Sequence, residues 1–408
     1  MKGNVIVGQS GGPTAVINSS LAGVFQASMA RGAKRVYGMC NGIEGLLEER
    51  LTDLTATLTS TLHIELLKRT PSSYLGSCRY KLPEPEENDG LFKEVFALLQ
   101  KYDIRYFFYI GGNDSMDTID KLSRYALAVN SSIRFIGVPK TIDNDLVRTD
   151  HTPGYGSAAK YLASTLKEVI RDGLVYNRKN ITIVEVMGRN AGWLTAAAAL
   201  AKGEDCHGVD MICLPETVFD PERFFTHLEA LQKHRPALVI AVSEGIKLAD
   251  GRYVCELGQN AHFVDAFGHK ALSGTASYLC QEAQRILGCK GRAIELSSLQ
   301  RCAAHLSSRV DITEAYQVGG SAVKAASEGE TARMVALERL GNDPYISVPK
   351  LVPIEAVANQ EKKLPTEWIT PDGHGVTKEF ISYVYPLTQA ELTPVFVEGL
   401  PRHISLED

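Results

Sequence analysis

The residues with the clearest chemical capacity are Pro139-Lys140-Thr141-Ile142-Asp143-Asn144-Asp145. Two carboxylates, a hydroxyl and an ammonium within this stretch can hold a metal-bound phosphate and take a proton from an alcohol. Phosphoryl transfer needs that set, because the protein contributes positioning, charge stabilisation and one base for the nucleophile. The stretch follows Ile133 to Val138, an apolar run of strand length, which predicts a buried strand with the polar residues at its carboxyl end. That edge is where open α/β sheets bind ligands. Read alone, the same letters also describe an Asx-rich turn.

The pattern recurs along the chain. Asn4 to Val7 reads as a strand, and Gly11-Gly12 follows it ahead of a helix in which Ile17, Leu21, Val24, Phe25 and Ser28 share a face. Glycines there let backbone N–H groups approach a phosphate at a helix N-terminus, or simply supply a tight turn. Gly76-Ser77-Cys78-Arg79-Tyr80-Lys81 reads as a loop whose cations are surface charges unless other anion-binding segments converge on them. Tyr106 to Ile110 reads as a strand ending in Gly111-Gly112-Asn113-Asp114-Ser115. Asn113 and Asp114 offer oxygens to Mg²⁺ or its waters, and Ser115 suits the N-cap of the next helix.

Pro153-Gly154-Tyr155-Gly156 interrupts the chain, a crossing into a second domain, and Ser157 is expected to cap the helix beyond it. Ile181 to Val186 is a strand ending in Met187-Gly188-Arg189, with Arg189 placed to meet an anion. Pro236 to Val242 ends in Ser243-Glu244, where a carboxylate can accept sugar hydroxyls or close the strand as a polar cap. Arg292 and Arg301 flank a strand and turn containing Ser298, and could bind phosphate bidentately.

Elements must hold these residues, and strand-like runs alternate with helical periodicity almost throughout, predicting an α/β architecture with mainly parallel sheets. At 408 residues the chain is long enough for two cores. A composition 44% hydrophobic and 22% charged is that of a globular protein, and no apolar run could span a bilayer. The first strand begins too early to leave room for a signal peptide. Eight cysteines without a CxxC pair suit reduced thiols in a cytoplasm. A net charge of −5 without a basic stripe argues against nucleic acid as a partner.

Taken in order, Gly11-Gly12, Gly76-Ser77-Cys78-Arg79, Gly111-Gly112-Asn113-Asp114-Ser115, Pro139 to Asp145, Met187-Gly188-Arg189, Ser243-Glu244 and Gln300-Arg301 resemble the motifs of the 6-phosphofructokinase family. The resemblance implies two Rossmann-like three-layer domains facing across a cleft. It places residues 1–154 plus about 300–352 in a phosphoryl-donor domain, and 155–299 plus about 353–408 in a sugar-phosphate domain. By the same resemblance Asp143 accepts the proton of the sugar 1-hydroxyl, and Thr141 and Asp145 hold the sugar and the transferred phosphate. Met187, Gly188 and Arg189 line the sugar-phosphate site, Glu244 binds hydroxyls and Arg301 binds the 6-phosphate. Arg292 stands where an arginine reaches a neighbouring subunit's site, which implies a homodimer or higher oligomer. Arg79 neutralises the donor phosphates, Gly12 lets the donor approach the backbone, and Asn113 faces Mg²⁺.

The family divides by phosphoryl donor, and ATP-using members carry glycine at the positions of Asp114 and Lys140. A carboxylate beside the α-phosphate of ATP would repel it by about 4 kcal/mol at ~4 Å and an effective dielectric of 20, well beyond the ~1.4 kcal/mol of a tenfold affinity change. Lys140 would instead stabilise the transferring phosphate as a point charge. The pair is similar to that of pyrophosphate-dependent members, which phosphorylate fructose 6-phosphate reversibly. Other readings are an ATP-dependent kinase, a non-catalytic sugar-phosphate-binding subunit, and an isolated Asp114–Lys140 ion pair. The chain departs from the family pattern at Asn113, where many relatives carry aspartate. It departs again at Asn180 and Ser298, whose weakened sugar contacts leave sedoheptulose 7-phosphate as a second acceptor.

Overall fold

The computed structural model describes residues 1–175, 177–258 and 272–406. Its main strands are β1 (Asn4–Gln9), β2 (Val36–Met39), β3 (Leu51–Asp53), β4 (Ile104–Gly111), β5 (Arg134–Pro139), β6 (Asn180–Val186), β7 (Met211–Cys213), β8 (Ala237–Ser243), β9 (Lys290–Glu295), β10 (Arg333–Asn342) and β11 (Tyr345–Pro353). They form a seven-stranded sheet in the order β11-β10-β5-β4-β1-β2-β3 and a four-stranded sheet in the order β7-β8-β6-β9. The four-stranded sheet is wholly parallel. In the larger sheet only the β2–β3 and β10–β11 pairs run antiparallel.

Every residue of β1 is buried, as expected of a strand covered on both faces. Alternation along it divides the core in two. Val5 and Val7 pack with the helices Ile17–Ala30 and Arg309–Ser327. Ile6 joins Phe92, Phe107, Met116 and Phe135 beneath the helices Asp89–Lys101 and Asn113–Ala128. The smaller sheet is covered by the helix Tyr155–Gly173 on one face and by Pro221–Gln232 and Thr275–Leu287 on the other. Each sheet is therefore the middle of three layers.

Beyond β11 the chain crosses over. Val357 still packs on the first sheet, whereas Leu364, Phe380, Tyr383 and Leu387 enter the core of the second.

Two helix starts differ from expectation. The helix expected to be capped by Ser157 begins at Tyr155, and the Ser157 N–H donates to Asp311 Oδ2 at 2.8 Å. Asp311 also accepts from Gly154 N, so a carboxylate from the helix Arg309–Ser327 caps this one. Ser115 is not an N-cap either: its helix begins at Asn113 behind Gly112. At the first of these Gly154, with a φ of 111° that favours glycine, lets the backbone turn earlier than the serine suggested.

All eight cysteines are free thiols. Among the described residues no helix is long and apolar enough to cross a membrane.

Candidate active site

The chain passes from β1 outward to β2 and then returns to β4 on the other side of β1. Such a reversal opens a crevice at the carboxyl ends of the two strands, the position favoured for ligands in α/β sheets. Gly11-Gly12 leaves β1 there and Gly112 to Ser115 leaves β4. With residues from the second sheet they enclose a cleft of about 510 Å³. Gly12, Arg79, Asn113, Asp114, Lys140, Thr141, Asp143, Asp145, Met187, Arg189 and Glu244 all line it.

Arg79 reaches the rim because its loop is tied to the β1 turn. Gly11 N donates to Cys78 O at 3.2 Å, and Ser77 Oγ donates to Gly11 O at 2.6 Å. A Cβ on Gly12 would lie 3.1 Å from Arg301 Nη1, so glycine allows guanidinium and backbone to approach. Arg301 thus stands on the same side as Arg79, beside Gly12.

Lys140 is 3% exposed. Its backbone N–H donates to Gly111 O at 2.9 Å, and its Nζ donates to Gly12 O at 2.7 Å. Among the described residues it forms no ion pair with Asp114, although both line the cleft. Burial pushes the ammonium down to about 8, against the pull of Asp143 and Asp145.

The turn itself is held from below. Asn144, buried and at a left-handed φ of 55°, accepts from Thr152 N at 3.0 Å and donates to Tyr383 Oη at 2.8 Å. Asparagine tolerates that backbone region better than most residues. Its neighbours Asp143 and Asp145 are left to line the cleft. Thr141 Oγ1 accepts from Asp143 N at 3.1 Å. Burial lifts the Asp143 carboxyl above its ordinary range, with Lys140 and Thr141 opposing. Burial, then the charges of Asp143 and Glu361, push Asp145 up to about 7.

Across the cleft, Glu244 Oε1 accepts from Gly188 N at 3.3 Å, and its carboxyl is pushed up to about 8 by burial. The ends of β6 and β8 lie so close that a Cβ on Gly245 would sit 1.9 Å from Arg189 O.

Four expected site residues, Gly188, Arg292, Ser298 and Arg301, are not among those lining the cleft, and Arg292 is expected at a neighbouring subunit's site instead. Arg292 is exposed and pairs with Asp172 at 2.7 Å. Ser298 is exposed, just ahead of the Leu299–Cys302 turn. Asn180 begins β6, at the end of that strand remote from Met187.

Comparison with known proteins places this geometry. A family model described as phosphofructokinase matches residues 4–326. The chain belongs to the phosphofructokinase family. It is 39% identical to a pyrophosphate–fructose 6-phosphate 1-phosphotransferase of Halomonas elongata, over 98% of this chain and 95% of that one. It is 40% identical to one of Xanthomonas campestris pv. campestris, over 100% of this chain and 96% of that one. The crystal structure of a pyrophosphate-dependent phosphofructokinase from Nitrosospira multiformis superposes with a TM-score of 0.89 at 35% identity, covering 98% of this chain and 95% of that one.

Within this phosphofructokinase fold, sequence reasoning missed one segment. Asn359, Gln360 and Glu361 also line the cleft. Asn113, expected at the metal, also grips that segment: Oδ1 accepts from Asn359 N and Nδ2 donates to Gln360 O, both at 2.6 Å. The only sequence signal was the polar run Asn359 to Lys363, which resembles any surface loop.

The donor set bears on Mg²⁺. With its oxygen engaged and no charge, Asn113 is a weak ligand. The Asp114 carboxylate beside it is well suited, because Mg²⁺ is usually held by one or two carboxylates together with substrate phosphates and retained waters. Among the described residues no group of three or more His, Cys, Asp or Glu forms a protein-only cage. The fit is to a cation arriving with its phosphate ligand.

Proposed function

We propose that this chain transfers a phosphoryl group from pyrophosphate to the 1-hydroxyl of fructose 6-phosphate, reversibly, giving fructose 1,6-bisphosphate and phosphate. The observation that carries the reading is the filled donor side. Lys140 occupies the space beside Gly12, bonded to its carbonyl, and Asp114 adds a carboxylate to the same wall. Two linked phosphates fit beside Lys140 and Arg79, while a nucleotide would set its inner phosphate against Asp114.

The residues then divide the work. Asp143 takes the proton as the 1-hydroxyl oxygen attacks phosphorus and the bridging P–O bond breaks. Its pKa, raised by burial, makes it a stronger base than an ordinary carboxylate. Lys140 and Arg79 offset the charge spread over the transferring group and the departing phosphate, and Arg301 takes the sugar 6-phosphate. Thr141 and Asp145 hold the reacting groups in line, Met187, Gly188 and Arg189 receive the sugar phosphate, and Glu244 takes its hydroxyls. Mg²⁺, held by Asp114 and more weakly by Asn113, would neutralise pyrophosphate charge.

We assign the seven-stranded sheet to a donor domain, 1–154 plus about 300–352, and the four-stranded sheet to a sugar-phosphate domain, 155–299 plus about 353–408. The exposed Arg292 fits a role in a neighbouring subunit's site, hence a homodimer or larger assembly, and the free thiols fit a cytoplasmic enzyme. Because Ser298 lies outside the cleft, the sugar-phosphate end has few fixed contacts, which favours sedoheptulose 7-phosphate as a second acceptor.

An activity matrix of pyrophosphate and ATP against both sugar phosphates tests the assignment. Pyrophosphate with fructose 6-phosphate is the expected best pair; a comparable rate with ATP overturns the donor.

A further inference from the structure

Asn359, Gln360 and Glu361 line the cleft, and the segment 359–362 is fastened at both ends. At the donor end the Asn113 amide binds Asn359 N and Gln360 O, and Asn359 Nδ2 donates to Asp117 Oδ1 at 2.8 Å. Asp117 is itself fixed by the buried Lys121, at 2.7 Å. At the other end Lys362 N donates to Asp145 O at 2.7 Å, and Lys362 Nζ donates to Asp150 O at 2.8 Å and Thr149 O at 3.2 Å. The Lys362 carbonyl accepts from Trp193 Nε1 at 2.9 Å, and the ammonium lies 4.9 Å from the centre of that ring. Trp193 begins the short helix after β6, so this anchor ties the strap to the sugar side as well.

Three rigid pieces are thereby joined by four residues. They are the helix carrying Asp114, the turn carrying Asp143 and Asp145, and the helix carrying Trp193. A surface loop needs no such attachment, and a connection between sheets need not line the cleft. Asparagine at 113 is what the strap requires, since its amide both accepts and donates. Aspartate there would keep the bond to Asn359 N and set a negative oxygen against Gln360 O.

We propose that Asn113 and Lys362 are positioning residues that hold the strap 359–362 as a spacer between the donor phosphates and the phosphoryl-transfer turn. The inference rests on the phosphoryl-transfer reading of the same cleft. Its effect belongs on turnover, because reacting groups displaced by about 1 Å can lose ~100-fold in rate while the groups that bind each substrate remain in place.

The test is a double-mutant cycle on the full chain with Asn113→Ala and Lys362→Met, checked by thermal unfolding. It is run with whichever of pyrophosphate and ATP the wild-type chain turns over, so an error in the donor shows in the wild type and leaves the cycle intact. Each single change should lower kcat at least about tenfold while KM for the sugar phosphate moves less than about threefold. The double variant should fall no more than about twofold below the worse single, because one released end already frees the spacer. Lys362→Arg should recover most of the loss. Losses that multiply, or that appear in KM with kcat unchanged, overturn the proposal.

Discussion

Lys140 Nζ donates to the carbonyl of Gly12 at 2.7 Å, joining the end of β5 to the turn after β1. A side chain from one strand end thus occupies the space that the neighbouring glycine turn leaves open. Its amine is fixed before any substrate arrives, and a preorganised charge costs no reorganisation when the phosphoryl group moves.

Donor choice should follow from that placement. Asp114→Gly combined with Lys140→Gly is expected to reduce kcat/KM for pyrophosphate at least about 100-fold, removing one cation from the transition state and loosening the wall. The same variant should turn over ATP measurably where the wild type does not. Steady-state assays with both donors check this; unchanged donor kinetics would remove the steric and electrostatic account.

The base can be isolated from binding. Asp143→Ala should lower kcat by about 1,000-fold or more, while fructose 6-phosphate affinity measured by calorimetry changes less than about tenfold, since general base catalysis contributes 10²–10⁴ and the sugar is held elsewhere. Turnover close to wild type would exclude Asp143 as the base.

The pH profile should be bell-shaped. Activity requires ionised Asp143, whose pKa is raised, so the rate climbs with pH through a limb above the ordinary carboxylate range. Lys140 must keep its proton, so the rate falls as pH passes about 8. Glu361 adds negative charge near Asp143 and Asp145; Glu361→Gln should move the acid limb to lower pH and leave the alkaline limb in place. A rate–pH series on both proteins reads the shift.

Stability has its own titration. Buried His151 lies 2.8 Å from Asp150 and 2.7 Å from Glu314, which hold its pKa up to about 9 despite the opposing effect of burial. A raised histidine contributes stability that is fully present below its unfolded value near 6.5 and disappears as pH rises through about 9, on the order of 3 kcal/mol for this shift. His151→Phe should destabilise by roughly 3–5 kcal/mol near pH 6, because two carboxylates are left without their cation. Denaturant unfolding across pH 6 to 9.5 measures both, and a flat wild-type profile would contradict the charged state.

Much of this was legible in the sequence because glycine and polar residues punctuate apolar strands. The runs Asn4–Val7, Tyr106–Ile110 and Ile181–Val186 fall inside β1, β4 and β6, and the polar groups after them meet in one cleft. A serine is a good cap in isolation, but at Ser157 it is Asp311, distant in sequence, that captures the N–H groups of Gly154 and Ser157. The strap was invisible for a related reason. Asn359 to Lys362 gain their role from Asn113, Asp145 and Trp193, and no local periodicity encodes a partner more than 150 residues away. The motif around Asn113 points to a metal and carries no sign that its amide hydrogens are aimed at Gln360.

The position of the strap affects the order in which a newly made chain becomes competent. Every motif by which the family is recognised has been translated by Arg301, and both sheets are complete by Pro353. The piece that fastens the two halves together arrives afterwards, followed by Tyr383, which steadies Asn144 from below. A nascent polypeptide halted near residue 353 would carry all the recognisable chemistry and still lack the span that sets its working distance.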